Sequence, residues 1–488
     1  DGLIWITRDA GKNWSDITPK ELTPWSKVTQ ISASHFDEQT AYASVSRFRI
    51  NDMHPYIYRT HDGGRNWTWI TSGLPEFGPV DTVREDPVRK GLLFAGTENA
   101  VWISFDDGDH WQSLQLNLPH TSMRDLWIHD NDLIVATHGR GFWILDDIAP
   151  LREMSAALAN SVHLFAPALA YRVQRDTNTD TPLPPDEPAA ANPPDGALID
   201  YYLPSAANSV NIDILDPQNR VVRSFSNTDK PDITEEELQK QLIPLYWVRS
   251  FSHLSGDPGM HRWLWRLHYP APASARHEYP IAAIPHDTPR LPLGPNALPG
   301  AYTVRLTVDG KSLTAPLTVK MDPRVKTSLA ELQNKFQAEK QLASVMTQTD
   351  QGLSEGASIR AQLDKLKASA STDVKNAVAD FEKKLTQVLG APGGGFSAPA
   401  SSEATLSRVN TEAGTMYQQV WQVDADPTSS QNAAISATER ASNDVLKRWI
   451  DFRNHDLPGL NQLLRAAQIP EIHAEADFHR DESESDEE

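Results

Sequence analysis

Three aspartates recur in one setting early in the chain: Asp9, Asp62 and Asp106, spaced 53 and 44 residues apart. Each sits in a hydroxyl-x-Asp-x-Gly-x-x-Trp run, with Gly11 and Trp14, Gly64 and Trp67, and Gly108 and Trp111 completing the pattern. Carboxylates invite acid–base catalysis or metal binding, but both need unlike groups converging on one point. Like groups repeated at this period instead mark an array of supersecondary units. An aspartate at a tight turn accepts bonds from backbone amides one or two residues on, and glycine supplies positive φ. The tryptophan packs its ring beneath the hairpin. These nine residues are therefore read as structural.

The elements around them follow the same period. Residues 3–7, 56–60 and 101–104 are short aromatic and β-branched runs that lead into each turn, as strands do. Residues 141–145 repeat the strand, but the turn then decays to Asp146, Asp147 and Ile148. Upstream lie the strand pairs 28–34 with 40–46, 80–85 with 92–97, and 123–129 with 133–137. This is the pattern of four-stranded propeller blades, about three of them plus a leading fragment.

The three turns resemble the Asp-box (bacterial neuraminidase) repeats of sialidases, xyloglucanase-type glycosidases and sortilin-like propellers. The run from Ala136 to Asp147, Ala-Thr-His-Gly-Arg-Gly-Phe-Trp-Ile-Leu-Asp-Asp, resembles the last blade of large bacterial proteins labelled glycosyl hydrolase or sortilin-like. The resemblance implies a propeller leading into a β-sandwich and a helical tail, in a protein exported to the periplasm or secreted. Propellers have about four to eight blades, and closure removes exposed strand edges. Three blades and a fragment therefore predict the C-terminal portion of a longer protein, or a ring completed by a partner chain.

Composition bounds the rest. A length of 488 residues implies about three domains. A net charge of −20 argues against nucleic acid and anionic membrane surfaces as partners. No apolar run approaches the ~20 residues that span a bilayer, so membrane insertion is not expected. With no cysteine, disulfides and thiolate chemistry are excluded. Blades are expected over 1–150, followed by a linker over 151–195 that contains the proline-rich run 181–188. An immunoglobulin or fibronectin type III-like β-sandwich is expected over 196–322, closed by a hairpin at Asp309-Gly310, a favoured turn pair. Apolar residues at helical spacing from Leu329 and again from Val374 predict an antiparallel helical bundle over 327–468, interrupted by a glycine-rich break at 390–402. Residues 471–488 carry nine acids and one arginine, and 469–488 reads as a disordered acidic tail. The fold class is thus mainly β with an α-helical C-terminal region.

Five histidines between His253 and His286 raise the question of a metal, but none has a ligand spacing. His261 and His268, seven apart, would face opposite sides of a strand. No metal or cofactor is expected, and there is no phosphate loop, Gly-x-Ser-x-Gly elbow or His-Glu-x-x-His pair.

In a four-stranded blade the turn motif joins the third strand to the fourth, so the loops joining second to third emerge on the opposite rim. These loops offer Arg47, Arg49, Asp52, His54, Glu98, His138 and Arg140. Arginine forks suit carboxylates, and adjacent loops would bring Glu98 near Arg140. Glycoside cleavage needs two carboxylates, ~5–5.5 Å apart for retention or ~6.5–9.5 Å for inversion. Glu98 is the one candidate catalytic acid and Asp52 a distant second, with no motif pairing them. The expected function is a noncatalytic scaffold for a protein, peptide or glycan. The alternative is a sialidase- or xyloglucanase-like glycoside hydrolase completed by further N-terminal blades.

Overall fold

The computed structural model describes residues 2–155, 160–174, 192–274, 277–280, 284–367, 372–391 and 404–475. Residues 156–159 and 175–191 of the expected linker, most of the glycine-rich break and the end of the acidic tail lie outside the described residues. The fold is mainly β with a helical C-terminal region, and the chain divides into two compact units. One is Asp1–Ala168 with Asp200–Pro204, the other Leu169–Ile199 with Ser205–Glu488.

The first unit is a partial propeller. Strands β1 (Trp5–Ile6) and β2 (Ser15–Asp16) form a hairpin. The first full blade orders β3 (Lys27–Ala33), β4 (Ala41–Arg47), β5 (Asp52–Thr60) and β6 (Thr68–Trp69). The second orders β7 (Val80–Glu85), β8 (Leu93–Thr97), β9 (Val101–Ser104) and β10 (Gln112–Ser113). The third has three strands, β11 (Met123–His129), β12 (Asp132–Thr137) and β13 (Phe142–Leu145). After β13 the chain enters a short helix, Ala149–Glu153, instead of a fourth strand. The core lies between blades. Ile57, Val83, Leu93 and Trp111 fill one interface, and Phe94, Val101, Met123 and Leu126 the next. Each fully buried aliphatic or aromatic side chain contributes about 1.5–3 kcal/mol.

The repeated turn has one hydrogen-bond scheme three times over. The hydroxyl accepts from the glycine amide (Gly11 to Thr7 2.8 Å, Gly64 to Thr60 2.9 Å, Gly108 to Ser104 2.9 Å). The aspartate accepts from the amide four residues on, at Asn13, Asn66 or His110, not one or two on as expected. That same residue's side chain meets the second carboxylate oxygen, at 2.6, 2.7 and 2.7 Å. Positive φ at Gly11, Gly64 and Gly108 (89°, 82°, 91°) curls the chain far enough for this longer reach. The tryptophan also differs from expectation. Trp67 Nε1 donates to the Ile17 carbonyl at 2.6 Å and Trp111 Nε1 to that of Ile70 at 2.9 Å, so each ring ties its blade to the preceding one. Trp14 instead donates locally to the Gly11 carbonyl and stays exposed.

The second unit carries a five-stranded sheet in the order Ala170–Arg172, Lys311–Met321, Gly300–Val308, Val210–Leu215, Val221–Ser226. Val308 pairs with Lys311 across Asp309 and Gly310, both at positive φ, which is the two-residue hairpin expected there. Strand Gly259–Trp265 contributes Trp265, whose ring meets Tyr302 edge-on at 5.3 Å. This strand stops at Trp265 and Leu267 turns to positive φ, so His268 does not share a strand with His261. His268 has its Nδ1 shut off from solvent, while His261 Nε2 donates to the Asp257 carbonyl near the surface.

Helices Leu329–Lys367, Thr372–Leu389, Leu406–Trp421, Ser429–Asp451 and Leu457–Ala466 follow. Their shared core includes Leu342, Ile359, Leu385, Val409, Tyr417 and Trp449. Apolar spacing predicted the buried faces well, with Leu329 the exception at 51% exposed because it opens its helix. Between the helices and the β-strands of this unit lies a nearly dry ion cluster. Lys335 Nζ reaches Glu339 at 2.6 Å and Asp424 at 3.6 Å, Arg172 pairs with Asp424, and Asn296 donates twice to Glu339.

Candidate functional site

The loops joining second to third strands, residues 48–51, 98–100 and 138–141, all lie opposite the repeated turns in the blade topology. Their charged residues do not converge on a single point. Arg47, Asp52 and His54 form one group. Arg47 Nη1 lies 3.2 Å from Asp52 Oδ2, Tyr56 Oη donates to the same oxygen at 2.9 Å, and His54 Nδ1 is 2.9 Å from Oδ1. Arg47 also stacks over the Tyr56 ring, which stacks in turn on Trp69. Burial alone would raise the Asp52 pKa, but the bonds from His54, Tyr56 and Arg47 outweigh it and hold the carboxyl below its ordinary range. Arg49 lies over Phe48 at the surface.

Glu98 belongs to a second group. The arginine beside it is Arg124, at 3.2 Å, and not the expected Arg140. Arg124 Nη1 meets Asp81 Oδ1 at 3.1 Å, and Ser122 Oγ donates to Asp81 Oδ2 at 3.2 Å. Burial, with Glu98 adding to it, raises the Asp81 carboxyl above its ordinary range against the opposing pull of Arg124. In the third loop, the His138 amide donates to the Ser122 carbonyl and the Arg140 carbonyl accepts from Trp143 Nε1. Among the described residues, no polar contact joins the side chains of His138 and Arg140 to either group.

The charged residues that sequence reasoning missed lie on the first strand of each blade. Strands β3, β7 and β11 each break register once, between Val28 and Gln30, Val80 and Thr82, and Met123 and Asp125. The bulged residues are Thr29, Asp81 and Arg124. A bulge re-aims a side chain and interrupts the alternation from which its direction would be read. Beyond the bulges the same strands continue a polar row. Gln30 Nε2 donates to Asp125 Oδ1 at 3.0 Å, Arg84 reaches that oxygen at 3.3 Å, and Arg84 stacks over Trp127 at 5.3 Å. Gln30 Oε1 accepts from Thr82 Oγ1 at 2.6 Å and from the Val83 amide at 3.0 Å. The only signal available in the sequence was charge within strand-like runs, as in Arg124-Asp125.

Among the described residues, no group of three His, Cys, Asp or Glu side chains is placed to hold a metal ion. No described helix is long and apolar enough to cross a membrane.

No protein-family model matches this sequence, and no curated protein does. Solved structures that match include YCF48 bound to D1 peptide, at 19% identity over 30% of this chain and 45% of that one, with a TM-score of 0.23. An ancestral GH74 enzyme matches at 18% identity over 23% of this chain and 14% of that chain, TM-score 0.20. The WD40 β-propeller domain of Doa1 matches at 13% identity over 60% and 87%, TM-score 0.18. The chain thus spans under half the length of the first two.

Proposed function

We propose that this chain is a noncatalytic binding and scaffold protein of the sortilin-like Asp-box propeller type. Its ligand face comprises the bulged row on the first strands and the loops above it. The ligand is a protein, peptide or glycan. One observation carries the reading: each carboxylate on this face is matched to an arginine. Asp52 has Arg47, Asp81 and Glu98 share Arg124, and Asp125 has Arg84. A glycosidase needs one carboxyl free to protonate the leaving oxygen and another free to attack or to activate water. Paired acids suit recognition instead, where alternating charge orients a ligand and sets register. From the same resemblance we place the protein outside the cytoplasm.

The second reading, a glycoside hydrolase, draws on Asp81. A buried carboxyl with a raised pKa beside a second acid, Glu98, is what a general acid requires. Release of nitrophenol from a panel of aryl glycosides separates the two. The expected result is no turnover above buffer, unchanged in Asp81→Asn and Glu98→Gln. Turnover abolished by either substitution would overturn the binding reading.

A further inference from the structure

Five aspartyl–prolyl bonds occur in this sequence: Asp86-Pro87, Asp216-Pro217, Asp257-Pro258, Asp322-Pro323 and Asp426-Pro427. Such a bond is weak because the aspartate carboxyl can close on its own carbonyl carbon as a five-membered ring. The nitrogen it expels carries no N–H in the chain and leaves as a basic secondary amine. A given bond reacts when its carboxyl is free to turn on the carbonyl and a donor stands at the oxygen where negative charge develops.

At four of the bonds the carboxylate is tied. Asp86 accepts from the Val88 and Arg89 amides, and both its oxygens meet Arg152 Nε. Asp216 holds the Gln218 and Arg220 amides and the Arg220 guanidinium. Asp322 holds the Arg324 amide and guanidinium, and Asp426 takes Asn334 Nδ2 at 3.0 Å. Asp257 differs. Among the described residues its carboxylate accepts only from Ser255 Oγ, at 3.3 Å, and pairs with no cation. Its carbonyl accepts from His261 Nε2 at 2.7 Å. Asp257 alone joins an untied carboxylate to a donor on the carbonyl that must be attacked.

The chain on either side is fixed. Gly256 passes so close to Ala207 that a Cβ would lie 2.5 Å from the Ala207 carbonyl oxygen, and its own carbonyl accepts from the Ala207 amide at 2.8 Å. His261 is anchored in strand Gly259–Trp265, and Gly259, at φ 123°, lets the chain bend between the ring and its acceptor. Asp257 and Pro258 are both exposed, so water reaches the bond.

We infer that the folded chain cleaves itself between Asp257 and Pro258 in mild acid. An Asp257 carboxyl oxygen bonds to the Asp257 carbonyl carbon, and the His261 Nε2–H stabilises the oxyanion that forms. The C–N bond to Pro258 then breaks, and the proton released by the carboxyl passes through solvent to the proline nitrogen. Water opens the cyclic anhydride, leaving Asp257 as a new C-terminus and Pro258 as a new N-terminus. The pieces stay together, because Val210–Leu215 before the bond pairs with Gly300–Val308 after it. The bond belongs to the second unit and the proposed ligand face to the first, so neither reading depends on the other.

The test holds the full chain at about pH 5, just above the ordinary carboxylate range, with circular dichroism confirming the fold. Mass spectrometry under denaturing conditions then reads the fragments. The expected result is one pair, ending at Asp257 and beginning at Pro258, with the other four Asp–Pro bonds intact. In urea at the same pH all five bonds should break at similar rates. His261→Phe should slow scission of the folded chain about a hundredfold, the effect of one lost oxyanion donor, and leave the rate in urea unchanged. Asp257→Ala should abolish it. If His261→Phe does not fold, the comparison among the five bonds of the folded parent still decides. An intact Asp257–Pro258 bond, equal scission at another Asp–Pro bond of the folded chain, or the parent's rate in folded His261→Phe would each overturn the inference.

Discussion

The motif aspartates of the first unit are bonded near water and recur with the repeat, whereas the charges of the second unit's ion cluster are unique and nearly dry. The motif aspartates lie at the surface and take their partners from within eight residues of sequence. Lys335, Glu339, Arg172 and Asp424 have side chains no more than 6% exposed and come from segments as much as 252 residues apart. A repeated local turn tolerates the loss of one copy because the others remain. A buried cluster does not, since removing one member leaves an uncompensated charge without solvent.

The largest predicted effect tests that asymmetry. Glu339→Ala leaves Lys335 only its longer 3.6 Å contact to Asp424 and takes the acceptor from two Asn296 donors, and should lower the stability of the second unit by about 3–5 kcal/mol. The double substitution Lys335→Met with Glu339→Leu should restore most of it. Calorimetry with separate transitions for the two units reads both outcomes, and equal losses in single and double variants would contradict the cluster's role.

Next comes the glycine that the repeat buries. A Cβ on Gly64 would sit 2.4 Å from Ile17 Cδ1, and its φ is 82°. Gly64→Ala should cost the first unit about 3 kcal/mol, from left-handed backbone and overpacking together. Gly11→Ala, with φ 89° and nothing near, should cost only the backbone part, about 1–2 kcal/mol. Urea denaturation compares them, and equal costs would mean that packing between repeats is slack.

Acid should separate the units. His268 is pushed down to about 3 by burial, with Arg249, Arg172 and Lys335 opposing its proton. The unfolded chain protonates near 6.5 and the folded one does not, so stability present above pH 6.5 is lost progressively as pH falls toward 3. Part of the ring stays accessible, and the loss between pH 6.5 and 5 should be about 2 kcal/mol at most. His268→Gln should flatten this slope. Asp62 is depressed as well, but its window lies lower: the Asn66 amide and side chain hold its carboxyl at about 2. Its contribution is complete above the ordinary carboxylate range and is lost progressively as pH falls from there to about 2. Thermal melts between pH 7 and 3 should therefore show the second transition falling first.

The smallest effect concerns the hooks between blades. Trp111→Phe removes one N–H bond to Ile70 and should cost about 1 kcal/mol, while Trp14→Phe at the exposed end should cost almost nothing. Equal losses would show that the indole bond contributes nothing beyond the ring.

Legibility in the sequence followed locality. The turns, the strands around them, the hairpin at Asp309-Gly310 and the apolar faces of the helices were all readable, because each depends on residues a few positions apart. The candidate site was readable only in its loops. Arg47, Asp52 and His54 gather within one hairpin, but Glu98 finds Arg124 across blades. Asp81 and Arg124 are aimed by bulges that no alternation pattern announces. The structure also gave a role to Asn13, Asn66 and His110, which the motif had left as variable positions.

By itself, then, the amino-acid sequence determined the repeating unit, because a glycine at positive φ and an aspartate four residues from its amide partner are short-range necessities. Only the tertiary structure decided which charges meet, where Trp67 and Trp111 hook, and that β13 ends its sheet among the described residues. Those outcomes depend on packing between blades and on single-residue bulges, and a one-residue shift in register exchanges the two faces of a strand.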